Sequence, residues 1–278
     1  MIQPPIIQPP IIQAGAVPSP GVGAIARPAR PPTGATATAQ IAGRALRKYA
    51  RTPGLLVMGM VTAALFLFMF RYVFGGAIRA GTAGYAGYLI PGYVATIVLF
   101  TGGGIAVAVA EDKAQGLTDR LLSLPIARSA LVAGRTLADF TTNAWSIVFT
   151  AALGFAFGFR LPSSAADGVA ALGLCLLYGL VFTVVFIVIG LFAPNAQAAQ
   201  GMSMIAFVLA FISSTYVPAS SMPGWLQPFA KYQPVTPMVN AVRSALTGGT
   251  HDLAVALIWS AALTIACTSI AVIRYRRA

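Results

Sequence analysis

The densest collection of side chains able to do chemistry lies at 111–128. It reads Glu111-Asp112-Lys113-Ala114-Gln115-Gly116-Leu117-Thr118-Asp119-Arg120-Leu121-Leu122-Ser123-Leu124-Pro125-Ile126-Ala127-Arg128. It holds three of the six acidic residues and three of the 18 basic ones. Carboxylates and guanidiniums in such a cluster suit charge-assisted docking to a partner better than bond-making. Elsewhere the chemistry is thinner. Asp139 follows Arg135 by four residues, so the two can pair on one helix face, although an acid inside an apolar run is also a functional suspect. His251 stands beside Asp252, but no motif places a nucleophile, and a helix cap fits the pair better. Cys175 and Cys267 lie in apolar runs with no Cys or His at metal spacing, so they read as small apolar side chains. Gly-x4-Gly-Lys-Ser/Thr is absent, and no Gly-Lys pair occurs at all. Nucleotide binding through a P-loop is therefore excluded in this chain. The Gly102-Gly103-Gly104 run lies inside an apolar stretch without a lysine and reads as a helix-packing or flexing site.

These residues are set in a chain that is 58% hydrophobic and 9% charged, with a mean hydropathy of +0.81. Soluble domains carry about 25% charge, so most of this surface must face a bilayer. The net charge of +12 does not indicate nucleic acid. Acids are scarce, and the basic residues are scattered between apolar runs without a basic aromatic stripe. Apolar runs fall at about 54–70, 88–110, 136–159, 168–193, 201–217 and 253–273. A helical span needs about 20 residues. The runs lack period-2 alternation, and only helices or closed barrels satisfy the backbone in lipid. The spacing therefore predicts an all-α integral membrane protein with six transmembrane helices, the first and fifth being short.

Residues 1–34 repeat Ile-Gln-Pro-Pro and are dense in Pro and Gly, which forbids helix and predicts a disordered tail. Over 35–52, Ile41, Ala45 and Tyr49 recur at four-residue spacing while Arg44, Arg47, Lys48 and Arg51 fill other faces. This is the pattern of an interfacial helix on an anionic leaflet, or alternatively the end of the next span, with Pro53-Gly54 as a break. Thirteen Lys and Arg fall on the side of the termini and five on the other. Both termini, and with them 111–128, are expected in the cytosol. Within 111–128, Gly116 permits a sharp turn. Asp119 to Leu124 form either a short surface helix ended by Pro125 or a solvated loop. The segment before the last run carries Pro218, Pro223, Trp225, Pro228 and Tyr232. It predicts two short helices dipping toward the membrane, broken at Pro228 and Pro234 and covered by protein.

Glu-x4-Gly-x3-Arg-Leu-Leu-x2-Pro-x2-Arg resembles the first cytosolic loop of type-2 ABC exporter permeases. Tyr216-Val217-Pro218 through Trp225 and Phe229, then Gln233-Pro234-Val235-Thr236-Pro237 and Ala241-Val242-Arg243, is similar to the region before the last span in the daunorubicin-resistance subgroup. The resemblance covers about 40–278. It implies a half-transporter: a domain at 35–278 that pairs with a second permease copy or a sister permease in the cell membrane. Two separate P-loop ABC ATPase subunits, carrying ATP and Mg, would dock beneath it. Glu111, Asp112, Gly116, Asp119, Arg120, Leu121, Leu122, Pro125 and Arg128 then match the coupling loop, and 193–200 a second, uncharged cytosolic contact expected to add little electrostatically. Arg44, Arg47, Lys48 and Arg51 match the interfacial connecting helix. The external segment is expected to cap the exit as a gate. No cofactor is expected in the chain itself. The expected cargo is a hydrophobic or amphiphilic drug, lipid or lipidic natural product. A membrane-embedded enzyme of lipid metabolism, an ion-coupled carrier and an exporter of glycans are the alternatives.

Overall fold

The structure is a computed structural model that describes residues 34–51, 53–73, 84–117 and 128–277. The tail expected over 1–34 lies, apart from Gly34, outside them. The described residues are predominantly helical, with no strand among them. In chain order the helices are α1 (Gly34–Arg51), α2 (Pro53–Phe68, continued by a π turn at Met69–Val73), α3 (Gly84–Ala114) and α4 (Arg128–Ala156). There follow α5 (Ala165–Phe192), α6 (Ala196–Ile212), α7 (Gln227–Tyr232), α8 (Val235–Ala245) and α9 (Leu253–Arg277). Among the described residues, three stretches are long and apolar enough to cross a membrane: Gly87–Ala114, Ala165–Phe192 and Leu253–Arg274. Gly59–Val73 and Ala196–Ile212 are shorter apolar helices.

The most buried helix, α3, packs against α4, α5, α6 and α8. Its apolar residues Leu89, Tyr93, Ile97 and Ala106 are all but inaccessible. Where α3 meets α5, a small residue lets a large one in. A Cβ on Gly102 would stand 2.0 Å from the Phe186 ring, so one member of the glycine run packs a helix as expected. Its neighbour Gly104 faces open space instead. The start of α5 is fixed by a capping box in which Ser164 and Asp167 satisfy each other's backbone amides, as serine at this position commonly does.

Three boundaries differ from the sequence reading. Helix α4 begins at Arg128, before the apolar run expected from 136, and within this extra stretch Arg135 pairs with Asp112 of α3. Helix α6 ends at Ile212, not 217, leaving a buried non-helical stretch at Ser213–Thr215. Pro228 opens α7 instead of breaking a helix, since the first turn has no partner for the amide that proline lacks. The segment expected to be an interfacial helix forms α1. Arg44 and Arg47 are exposed and Ala42 is buried. Ile41 lies over Gly134 of α4 at a separation that leaves no room for a Cβ, so α1 packs on protein along this face.

Gly102→Val should overpack the Phe186 contact and cost about 1–3 kcal/mol, seen as a lower unfolding temperature of the detergent-solubilised protein. An unchanged temperature would mean that the ring moves aside freely.

Candidate functional site

The end of α3 is where the polar segment leaves the bundle. Glu111 is exposed, but the next two residues turn inward. Asp112 forms an ion pair with Arg135 of α4, whose Nε also lies 2.6 Å from the carboxylate of Asp139. Asp139 is fully buried, so a charge there demands a partner. Lys113 Nζ donates to the carbonyls of Leu191 and Ala193, each at 3.2 Å. Those carbonyls belong to the last turn of α5, where acceptors lack intrahelical donors and a cation is favoured. Two consecutive side chains thus bolt the end of α3 to α4 and to α5. Immediately afterwards Gly116 turns the chain with φ 67°, a conformation glycine adopts without strain.

The polar stripe continues inward along α4. Asn143, four residues beyond Asp139, donates from Nδ2 to Thr183 of α5 at 2.7 Å and accepts from Thr101 of α3 at 3.1 Å. Arg135, Asp139 and Asn143 recur every four residues and so line one face. The same four-residue step that joins Arg135 to Asp139 in the sequence extends to Asn143. The connection from α5 to α6 carries no charge of its own, as noted, but receives one from Lys113. Asn195 caps α6 by accepting from the Ala198 amide at 2.8 Å. Of the remaining loop residues, Arg128 is the first of α4, and Asp119, Arg120, Leu121, Leu122 and Pro125 lie outside the described residues. Lys48 and Arg51 fall within α1, and Arg47 Nε donates to the Gly43 carbonyl.

A second polar cluster lies at the opposite end of the bundle, around the break after α6. The Leu209 carbonyl accepts from Gln233 Nε2 at 3.0 Å, and the Ser214 amide donates to Thr236. Arg243 of α8 spans the break. It donates to the carbonyls of Ser214 (2.9 Å), Thr215 (2.8 Å) and Tyr88 (2.9 and 3.1 Å). Its guanidinium also lies 3.7 Å over the Tyr88 ring. Gly92 makes room for it: a Cβ there would come within 2.7 Å of the guanidinium. Burial pulls the Arg243 pKa below its ordinary value, opposed by Tyr88, and a guanidinium remains charged regardless. Asn240 extends the network by donating to Asp252 at 2.9 Å. Asp252 therefore tethers α8 to the start of α9, and His251 pairs with it at 3.3 Å.

The residues expected to gate the exit are placed differently from this cluster. Trp225 and Tyr232 are 80% and 77% exposed, Pro223 and Pro228 are exposed, and Pro218 is half-buried. The buried contacts come instead from Gln233, Thr236, Asn240 and Arg243. Beside them runs an aromatic series joining α2, α3 and α6. Tyr216 stacks on Phe70 at 4.4 Å and on Phe211 at 4.9 Å, and Phe100 meets Phe207 at 4.7 Å.

Comparison with known proteins bears on what this arrangement does. Residues 36–247 match the model of the family described as ABC-2 type transporter. A relative named daunorubicin resistance ABC transporter permease protein DrrB1, from Streptomyces coeruleorubidus, is 29% identical over 253 residues, covering 90% of this chain and 89% of its own. One named probable doxorubicin resistance ABC transporter permease protein DrrC, from Mycobacterium tuberculosis, is 25% identical over 238 residues, covering 84% and 86%.

Arg135→Met should leave the buried Asp139 carboxylate facing a lost guanidinium and destabilise the protein by about 3–5 kcal/mol. Adding Asp139→Leu should restore much of that loss in thermal unfolding, whereas an additive further loss would argue against the pairing. At the other end, Arg243→Lys keeps the charge but loses the planar fork. Amides 213–216 should then exchange hydrogen faster while those of α5 do not.

Proposed function

This chain belongs to the ABC-2 type transporter family, and we propose that it is the six-span permease subunit of an ATP-driven exporter. It is a multi-pass membrane protein, and in this reading both termini lie in the cytosol and the membrane is the cell membrane. A pair of P-loop ATPase subunits docks on the 111–128 segment and on the 193–200 connection, and a second permease completes the pathway. One observation supports this above others: the base of the polar segment is tied to two other helices, through Asp112 to Arg135 and through Lys113 to the end of α5. A push on the loop therefore moves α3, α4 and α5 together. Coupling of this kind is a shift between two packed arrangements driven by differential contact, not a chemical step.

The cargo we propose is a hydrophobic or amphiphilic compound, a drug or a lipid-like product. The relatives named for daunorubicin and doxorubicin resistance support a drug. The Phe66, Phe100, Phe207 and Phe211 series offers aromatic surface with almost no charge, which favours apolar guests over glycans. At the far end the α6–α8 break held by Arg243, with the external segment containing Pro218, Pro223, Trp225, Pro228 and Tyr232, serves as the exit gate.

Glu111→Arg should leave the permease inserted but abolish ATP-driven efflux and capture of the partner ATPase. Survival of both would remove the docking assignment. Asp112→Ala with Lys113→Ala should give a different result. The ATPase still binds and hydrolyses ATP, while drug efflux per ATP falls by about tenfold or more, a loss of about 1.4 kcal/mol of coupling. Efflux that stays proportional to hydrolysis would show that force does not pass through these two side chains.

A further inference from the structure

A cavity of about 250 Å³ lies between α3, α4, α5 and α8, at the end of the bundle away from the Asp112–Arg135 pair. Ile90, Phe155, Ala171, Cys175, Val242 and Leu246 form its walls. The one side-chain heteroatom among the lining residues is the Cys175 thiol. Water held in a buried space needs two to four polar partners, and these walls do not provide them, so the space suits an apolar guest. Phe155 and Val169, which also line it, are 50% and 71% exposed. The cavity therefore opens sideways through the outer faces of α4 and α5, and α5 is one of the helices long and apolar enough to span a membrane. In a bilayer that opening meets acyl chains.

The rim adds a charge. Phe159 and Leu161 both line the cavity, and between them stands Arg160, which is exposed and makes no ion pair among the described residues. It lies in the short connection between α4 and α5, outside both helices. A guanidinium at the boundary between hydrocarbon and water matches a phosphate, which it can hold through paired N–H donors. An apolar slot with a cation at its mouth has the two parts needed to recognise a phospholipid.

We infer that this cavity is a phospholipid site: one acyl chain enters between α4 and α5, and the headgroup phosphate rests on Arg160. The assignment does not depend on the exporter reading, although placing the site in the outer leaflet follows from the topology proposed there. Val242 precedes Arg243 in α8, so the inserted chain also fills the space beside the helix that carries the Arg243 contacts.

The test uses the full-length chain in nanodiscs of phosphatidylethanolamine and phosphatidylglycerol with a trace of phospholipid carrying a diazirine in mid-chain. After irradiation, label should concentrate on peptides spanning 151–175 and 242–246. Val169→Trp, at an exposed position where folding tolerates bulk, should block the mouth and reduce that label about tenfold. Ala171→Phe should do the same from inside. Arg160→Glu should reduce labelling by the phospholipid probe but not by a diacylglycerol probe of the same chains. Label spread evenly over the lipid-facing helices and indifferent to Val169→Trp would overturn the site. So would displacement of the label by a hydrophobic drug, which would make this a cargo site. Disulfide formation between copies through Val169→Cys, with Cys267→Ser, would overturn it as well, since a second chain would then cover the mouth.

Discussion

A backbone carbonyl or amide that leaves a helix inside lipid has no water to bond, and each one left unpaired costs several kcal/mol. Helix α6 ends at Ile212 with buried chain continuing beyond it, so the carbonyls of Leu209, Ser214 and Thr215 and the amide of Ser214 all need protein partners. They find them on Gln233, Arg243 and Thr236, all in or next to α8. Helix α8 is consequently buried along most of its length although it is too short to span a membrane. The position of α3 follows from the same demand. Its Tyr88 carbonyl takes two N–H groups of Arg243, and its Tyr88 hydroxyl bonds the Ser214 carbonyl. Arg243 acts as a set of fixed donors, with carbonyl dipoles and an aromatic face around its charge and, among the described residues, no carboxylate paired with it.

The opposite end meets the same constraint with ions. Asp139 is buried where water does not reach, and Arg135 and Asp112 complete a cluster across α4 and α3. Lys113 satisfies carbonyls that the end of α5 cannot pair internally. Such contacts are poor sources of net stability. They are directional, however, and they hold three helices in one register at the point where the polar segment emerges. Each end of the bundle is therefore closed by one basic side chain of α4 or α8 reaching α3, with apolar and aromatic packing between them.

Much of this was legible in the residues. Long apolar runs without period-2 alternation predicted helices, and the described residues contain no strand. The four-residue step from Arg135 to Asp139 predicted their pairing, which the structure contains. Gly116 was read as a turn and has the positive φ of one. Other features were not legible, for identifiable reasons. Asp112 and Lys113 read as part of an exposed handle, because a charged residue next to a span looks the same whether it meets water or a neighbouring helix. The end of α6 was placed five residues late because Ser213 to Val217 carries no charge and no Gly or Pro before Pro218, so nothing local marks a stop; the partners on α8 are what make the break possible there. Trp225 and Tyr232 stand out as aromatics, while the buried contacts come from Gln233, Thr236 and Asn240; with Arg243 these recur three and four residues apart, a one-face helical spacing that stands out less than the Pro and aromatic residues around it.

Composition and hydrophobic periodicity by themselves determined that this chain is helical and lives in a membrane. The missing phosphate-binding motif excluded a P-loop of its own. These are properties of local chain and solvent, summed residue by residue, and they need no knowledge of neighbours. Tertiary structure alone decided which polar residues face protein and which face water, where α6 stops, and that a single arginine distant in sequence satisfies the backbone of both α3 and the α6 break. Hydrogen-bond satisfaction in a low dielectric depends here on pairs separated by 22 to 155 residues, and no one-dimensional pattern encodes which members of those pairs will meet.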